Sequence, residues 1–147
     1  MSDLYDRDFY GWTKEQAILL RAGRAAELDW SNIAEEIESM GRGAQEQLTN
    51  RLAVLLAHLL KWRYQPSHRG NSWRLTIVEQ RRRIARLIRK NPSLKAALAE
   101  VLTDAYGDAL LIAQRDTGLP ESAFPPTCPW TFDQAIGDGE VEADAAT

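Results

Sequence analysis

Apolar residues along this chain recur at helical spacing. The longest series runs Ile33, Ile37, Met40, Ala44, Leu48, Leu52, Leu55 and Leu59. Its steps of three and four residues line one side of an α-helix. Gly41 and Gly43 interrupt the series, each at a cost of about 1 kcal/mol relative to alanine in a helix interior. The phase is kept across them, which predicts one long helix, bent or straight, over about 30–64, with Pro66 as its stop. A break at 41–43 into two helices is the alternative.

Shorter patterns flank it. Thr13 is placed to cap a helix beginning Lys14-Glu15-Gln16-Ala17-Ile18, with Gly23 as its C-terminal stop. Residues 3–10 suit a helical turn before it. A brief turn over 24–28 follows, and Asp29 is positioned to cap the long helix. Ser72 reads as the cap of a third helix whose inner side carries Trp73, Ile77, Ile84, Leu87 and Ile88. Glu79 and Arg83 sit at the spacing that favours an ion pair. Asn91-Pro92 closes that helix and opens a fourth, with Leu94, Leu98, Val101, Ala105, Ala109 and Ile112, ending before Gly118.

Pro120, Pro125, Pro126 and Pro129 then forbid regular helix. Phe124, Trp130 and Phe132 are large enough to fasten this segment to the bundle, and Thr131 can cap a last short turn through Ile136. Strand patterns are lacking. The expectation is an all-α, single-domain helical bundle over 1–136 with a Pro-rich C-terminal wrap. An acidic tail, 137–147, has nothing to bury and is expected to be disordered.

Composition narrows the class. With 147 residues, 44% of them hydrophobic, the chain has enough apolar content for a core without staples. The one cysteine, Cys128, excludes an intrachain disulfide and any site built from several thiolates. The longest apolar run, Leu52 to Leu60, is nine residues interrupted by His58, whereas a membrane span takes about twenty. The N-terminus shows no basic stretch followed by an apolar one. A cytoplasmic protein with no membrane association is expected.

Charge changes the picture more. Residues 1–60 carry a net −4, residues 61–90 a net +9 and residues 91–147 a net −8. The middle block interleaves Lys61, Arg63, Arg69, Arg74, Arg81, Arg82, Arg83, Arg86, Arg89 and Lys90 with Trp62, Tyr64 and Trp73. Arginines among aromatic rings suit phosphates and stacked bases. However, Arg82, Arg86 and Arg89 fall on one side of their helix and Arg74 and Arg81 on another. The overall pI near 5.4 is also low for a nucleic-acid domain. Internal pairing or solvation of these charges is the plainer reading.

Six segments taken in order carry a family resemblance: Asp8-Phe9-Tyr10-Gly11-Trp12, Leu28-Asp29-Trp30, Glu35-Glu36-Ile37-Glu38-Ser39-Met40-Gly41, His58 to Pro66, Ser72 to Ile77, and Phe124 to Trp130. In this spacing the chain resembles the bacterial domain of unknown function 29 family over about residues 4–136. The resemblance implies a compact helical protein of prokaryotic origin, mostly found as a stand-alone domain. It implies no activity and carries over no catalytic residues.

No catalytic constellation is complete. The two histidines, His58 and His68, belong to no Glu-x-x-His or His-Glu-x-x-His pattern, so no metal and no cofactor is expected. On one straight helix Glu38 and His58 stand about 30 Å apart. His58 borders the inner stripe and needs hydrogen-bond partners, with Gln80, Tyr106 and Arg51 as candidates. A ligand pocket lined by His58, Trp62 and Trp73 is the sharper alternative to a polar layer. Cys128 reads as an inert thiol under the wrap. The candidate binding residues are His58, Lys61, Trp62, Arg63, Tyr64, His68, Arg69, Trp73, Arg74 and Arg81.

The leading reading is a non-enzymatic helical binding or protein-interaction module, with a homodimer through an exposed helix face as one form of it. A nucleic-acid-associated accessory protein using 61–90 is the alternative. A small-molecule or metal-dependent enzyme centred on His58 is the second alternative.

Overall fold

The computed structural model describes residues 3–137; the expected acidic tail lies outside them apart from Gly137. Among the described residues there are six α-helices and no strand: α1 (Leu4–Arg7), α2 (Phe9–Arg21), α3 (Trp30–Tyr64), α4 (Asn71–Lys90), α5 (Leu98–Thr117) and α6 (Phe132–Ile136). The fold is all-α. The helix α3 runs unbroken through Gly41 and Gly43, as the kept apolar phase requires. A Cβ at either glycine would meet nothing within 4 Å. The chain divides after Gly43 into two compact units.

The N-terminal unit holds α1, α2, a 3₁₀ turn at Ala25–Glu27 and the first turns of α3. The first residue of α2 is Phe9, and its cap is Asp8, whose carboxylate accepts from the Gly11 N–H at 3.0 Å. Thr13 is not the cap. It lies inside the helix and donates its hydroxyl to the Tyr10 carbonyl at 2.7 Å. Gly11 permits the Asp8 cap, since a Cβ there would fall 2.5 Å from Asp8 Oδ2. Gly23, at φ 70°, takes the left-handed turn that ends α2.

The centre of this unit is one indole. Trp12 is buried, stacked on Phe9 at 5.7 Å and met edge-on by Tyr5 at 4.8 Å. Its Nε1 donates to Asp29 Oδ2 at 3.0 Å, and Asn32 Nδ2 donates to the same oxygen at 2.9 Å. The Asp29 N–H donates in turn to Gln16 Oε1 at 2.8 Å.

In the C-terminal unit, the second half of α3 is buried on nearly every side. Leu48, Leu52, Leu55, Leu56, Leu59 and Leu60 are all fully covered. A helix apolar all round belongs at the centre of its unit, and the Leu52–Leu60 run makes α3 the central helix here. Ile77 and Ile84 of α4, Val101, Ala105 and Ala109 of α5, and Ala135 of α6 complete the core.

Two boundaries differ from expectation. The helix α4 begins at Asn71 after an extended Gly70, without a side-chain cap; Ser72 lies within it and accepts the Thr76 hydroxyl on its carbonyl at 3.0 Å. Residues Pro92–Ala97 form 3₁₀ turns, and α5 starts only at Leu98. The Pro-rich wrap is fastened as its large side chains suggest. Phe124 and Trp130 are buried, the Tyr106 hydroxyl donates to the Pro125 carbonyl at 2.5 Å, and Thr131 forms a capping box with Gln134 at the start of α6.

Candidate functional site

The residues around the end of α3 are the first candidates. Lys61 is buried, 5% exposed. Its Nζ donates to Asp116 Oδ2 of α5 at 2.9 Å and lies 5.1 Å from the centre of the Trp73 ring of α4. One ammonium therefore ties three helices together. Arg69, from the loop after α3, sits over the Trp62 ring at 5.3 Å and donates its Nε to the Trp62 carbonyl at 2.6 Å. Arg63 lies over Trp130 at 4.8 Å, and Tyr64 meets Phe124 edge-on at 5.7 Å. Arg81 is buried and donates its Nε to the Ala135 carbonyl of α6 at 2.9 Å. Arg74 is exposed and bonds Asn71 Oδ1 at 2.8 Å, while His68 shares a 3.0 Å bond with the Ser67 hydroxyl.

These contacts give Lys61, Arg63, Arg69 and Arg81, with the rings of Trp62, Trp73 and Trp130, a job inside the fold. Carbonyls and ring faces receive the guanidinium groups, which hold the loop and the wrap against α3 and α4.

His58 is half-buried, and its partner is none of Gln80, Tyr106 or Arg51. Its Nδ1 lies 2.9 Å from the Val54 carbonyl one turn earlier on α3. A carbonyl only accepts, so that nitrogen carries the proton. Burial pushes the imidazole below its ordinary value, against the stabilising Val54 carbonyl. Cys128 is half-buried, donates Sγ–H to the Trp130 carbonyl at 3.3 Å and is pushed up by burial. Raised in this way, the thiol is a poor nucleophile. Among the described residues no three His, Cys, Asp or Glu side chains are grouped to hold a metal ion, and no helix is long and apolar enough to cross a membrane.

Two surfaces remain. On the outer side of α4, Leu75, Val78, Glu79, Arg82, Arg83 and Arg86 line a shallow groove of about 390 Å³. Glu79 accepts from Arg83 at 2.8 Å, as the spacing predicts. Arg82, Arg86 and Arg89 have no polar or ring partner among the described residues.

The second surface is apolar and lies on the N-terminal unit. Trp30, Ile37 and Met40 of α3 are 61%, 62% and 75% exposed, and Phe9, Tyr10, Ile18 and Leu20 of α2 are also exposed. Trp30, Ile33, Ile37, Met40 and Ala44 follow one another at four- and three-residue steps, the spacing of a coiled-coil seam. Pattern alone assigned Ile37 and Met40 to the core, because helical periodicity reports which residues share a side and not what covers it. The available signal was local: Glu35, Glu36 and Glu38 crowd this stretch.

Comparison with known proteins adds one result. The family model described as Domain of unknown function DUF29 matches residues 4–139. No curated protein and no solved structure matches the chain.

Proposed function

The chain belongs to the DUF29 family, and we propose that it is a non-enzymatic, cytoplasmic interaction module that docks another helix on the apolar seam of α3. The observation that carries this reading is the uncovered seam Trp30, Ile37 and Met40. A unit of 43 residues in which Trp12 is the buried apolar side chain among the described residues is at the size where association commonly completes a core. A second copy satisfies the seam as well as another protein does, since a two-fold pairing needs only a self-complementary stripe.

The test is the paired substitution Ile37→Glu and Met40→Glu in the full chain. Sedimentation across a concentration range reads self-association, and co-purification of a tagged chain from its native cell reads other partners. Loss of either in the variant supports the reading. Association and partner set both indifferent to the substitution overturn it.

A second reading has its own observation. Arg82, Arg86 and Arg89 lie within about 60° of one another around α4 and lack partners among the described residues, which suits phosphate contacts. Binding to DNA or RNA that weakens steeply with salt supports it, and no binding at low salt removes it.

A further inference from the structure

The outer faces of α4 and α5 carry the same spacing with opposite charge. On α4, Leu75, Arg82 and Arg86 fall within about 40° of one another around the helix. On α5, Glu100, Asp104 and Leu111 fall within about 40° as well. All six are exposed, Leu75 by 50% and Leu111 by 60%. Followed backward, the α4 stripe reads Arg86, Arg82, Leu75; followed forward, the α5 stripe reads Glu100, Asp104, Leu111. The steps are four and seven residues in both, and each stripe covers about 16.5 Å of helix. Laid antiparallel, the two helices set Glu100 against Arg86, Asp104 against Arg82 and Leu111 against Leu75 in one register.

Within one chain the two stripes do not satisfy each other. Arg82, Arg86, Glu100 and Asp104 make no ion pair among the described residues, and the carboxylate of the α4 groove, Glu79, is engaged by Arg83. A glycine supports the match. Gly107 is exposed between Asp104 and Leu111 on the same side of α5, and in this register it stands opposite Glu79. Glycine is a poor residue for a helix interior, and a Cβ at Gly107 would meet nothing within 4 Å, so packing inside the chain does not call for it. A bare backbone there lets a second helix come close and leaves room for the Glu79–Arg83 pair.

We propose that α5 of one copy of this chain docks antiparallel on the outer face of α4 of a second copy. Exposed ion pairs alone contribute little; the leucines supply the apolar contact, and the charges set direction and register. Two different surfaces meet, so the contact closes into a dimer where a two-fold axis lets each chain use both stripes, and otherwise adds copies head to tail. It is independent of the α3 seam, and it occupies the arginines that phosphate contacts would need.

Sedimentation of the full chain carrying Ile37→Glu and Met40→Glu reads this contact with the α3 seam silenced. In that chain, Arg82→Glu with Arg86→Glu, and separately Glu100→Lys with Asp104→Lys, should each weaken self-association by more than about tenfold, because like charges then face each other. Mixing the two reversed proteins should restore association between them, since an acidic α4 then meets a basic α5. Glu121→Lys with Asp133→Lys, two exposed acids away from the stripe, should restore nothing when mixed with the α4 reversal. If a reversed variant loses its helical circular dichroism, Arg82→Gln with Arg86→Gln and Glu100→Gln with Asp104→Asn take its place, each expected to weaken association. A silenced chain that stays monomeric, reversals without effect, or rescue by Glu121→Lys and Asp133→Lys equal to that by the α5 reversal would overturn the proposal. A monomeric chain that binds DNA or RNA through Arg82 and Arg86 would overturn it too, assigning those arginines to phosphate.

Discussion

Trp12 donates its indole N–H to Asp29 at 3.0 Å, and that bond joins the buried side chain of α2 to the residue that precedes α3. The same carboxylate oxygen accepts from Asn32 at 2.9 Å, and the Asp29 N–H is held by Gln16. A polar residue at the mouth of a helix thus serves both as helix start and as the closing link of the N-terminal unit.

This arrangement makes the unit sensitive to acid. The Asn32 side chain, followed by the Trp12 indole, holds Asp29 below the ordinary aspartate value of 3.8. A carboxylate with a lowered folded-state value contributes stability above 3.8 that is lost as pH falls through the lowered value. The Trp12 indole N–H resonance is expected to move over that acidic range while amides of α4 and α5 stay in place. Asp29→Asn removes the titration. An indole signal that ignores acid, or the same titration in Asp29→Asn, counts against the link.

The long apolar stripe of α3 supplies a second prediction, because its two ends have different surroundings. Leu55→Ala, in the fully covered half, is expected to cost about 2–5 kcal/mol. Ile37→Ala, in the exposed half, is expected to stay within about 0.5 kcal/mol when the chain is dilute enough to be monomeric. Urea unfolding of the two variants at that dilution decides it, and similar losses at both positions would mean that the single chain itself covers Ile37.

The Lys61–Asp116 pair is asymmetric, with side-chain exposures of 6% and 42%. Asp116→Ala strands a buried ammonium, partly compensated by the Trp73 ring, at a cost of about 1–3 kcal/mol. Lys61→Met removes the charge together with its desolvation and is expected to cost less. The order of the two urea midpoints tests the pair, and a larger loss for Lys61→Met contradicts this account.

His58 makes the C-terminal unit sensitive to mild acid. Its folded-state value is lowered by burial from 6.5, so the unfolded chain binds the proton first as pH falls. The contribution is complete above 6.5 and declines as pH drops through the lowered value. Unfolding midpoints measured between about pH 5 and 8 should rise with pH, and His58→Gln should flatten that rise. An equal slope in His58→Gln assigns it to other groups.

Much of the architecture was legible in the residue pattern. The spacing from Ile33 to Leu59 favoured one long helix over a break at 41–43, and α3 is unbroken, because side-chain phase survives where intrinsic propensity falls. The proline positions, with Phe124, Trp130 and Thr131, specified a wrap and its final cap. Caps were read less well. Thr13 and Ser72 have the right chemistry, but Asp8 and Gly70 lie where the chain turns, and several nearby residues can satisfy the same N–H groups.

The basic block shows the other limit. Ten cations in thirty residues resemble one footprint on paper, yet Arg63, Arg69 and Arg81 are spent on rings and carbonyls that lie far along the chain or across the loop. Linear sequence carries period, charge and turn chemistry, since these depend on a residue and its near neighbours. Folding in space settled which side of each period is covered. That is why Ile37 faces outward while Leu55 is sealed in, and why Arg81 is bound to the Ala135 carbonyl while Arg82, the next residue, is exposed.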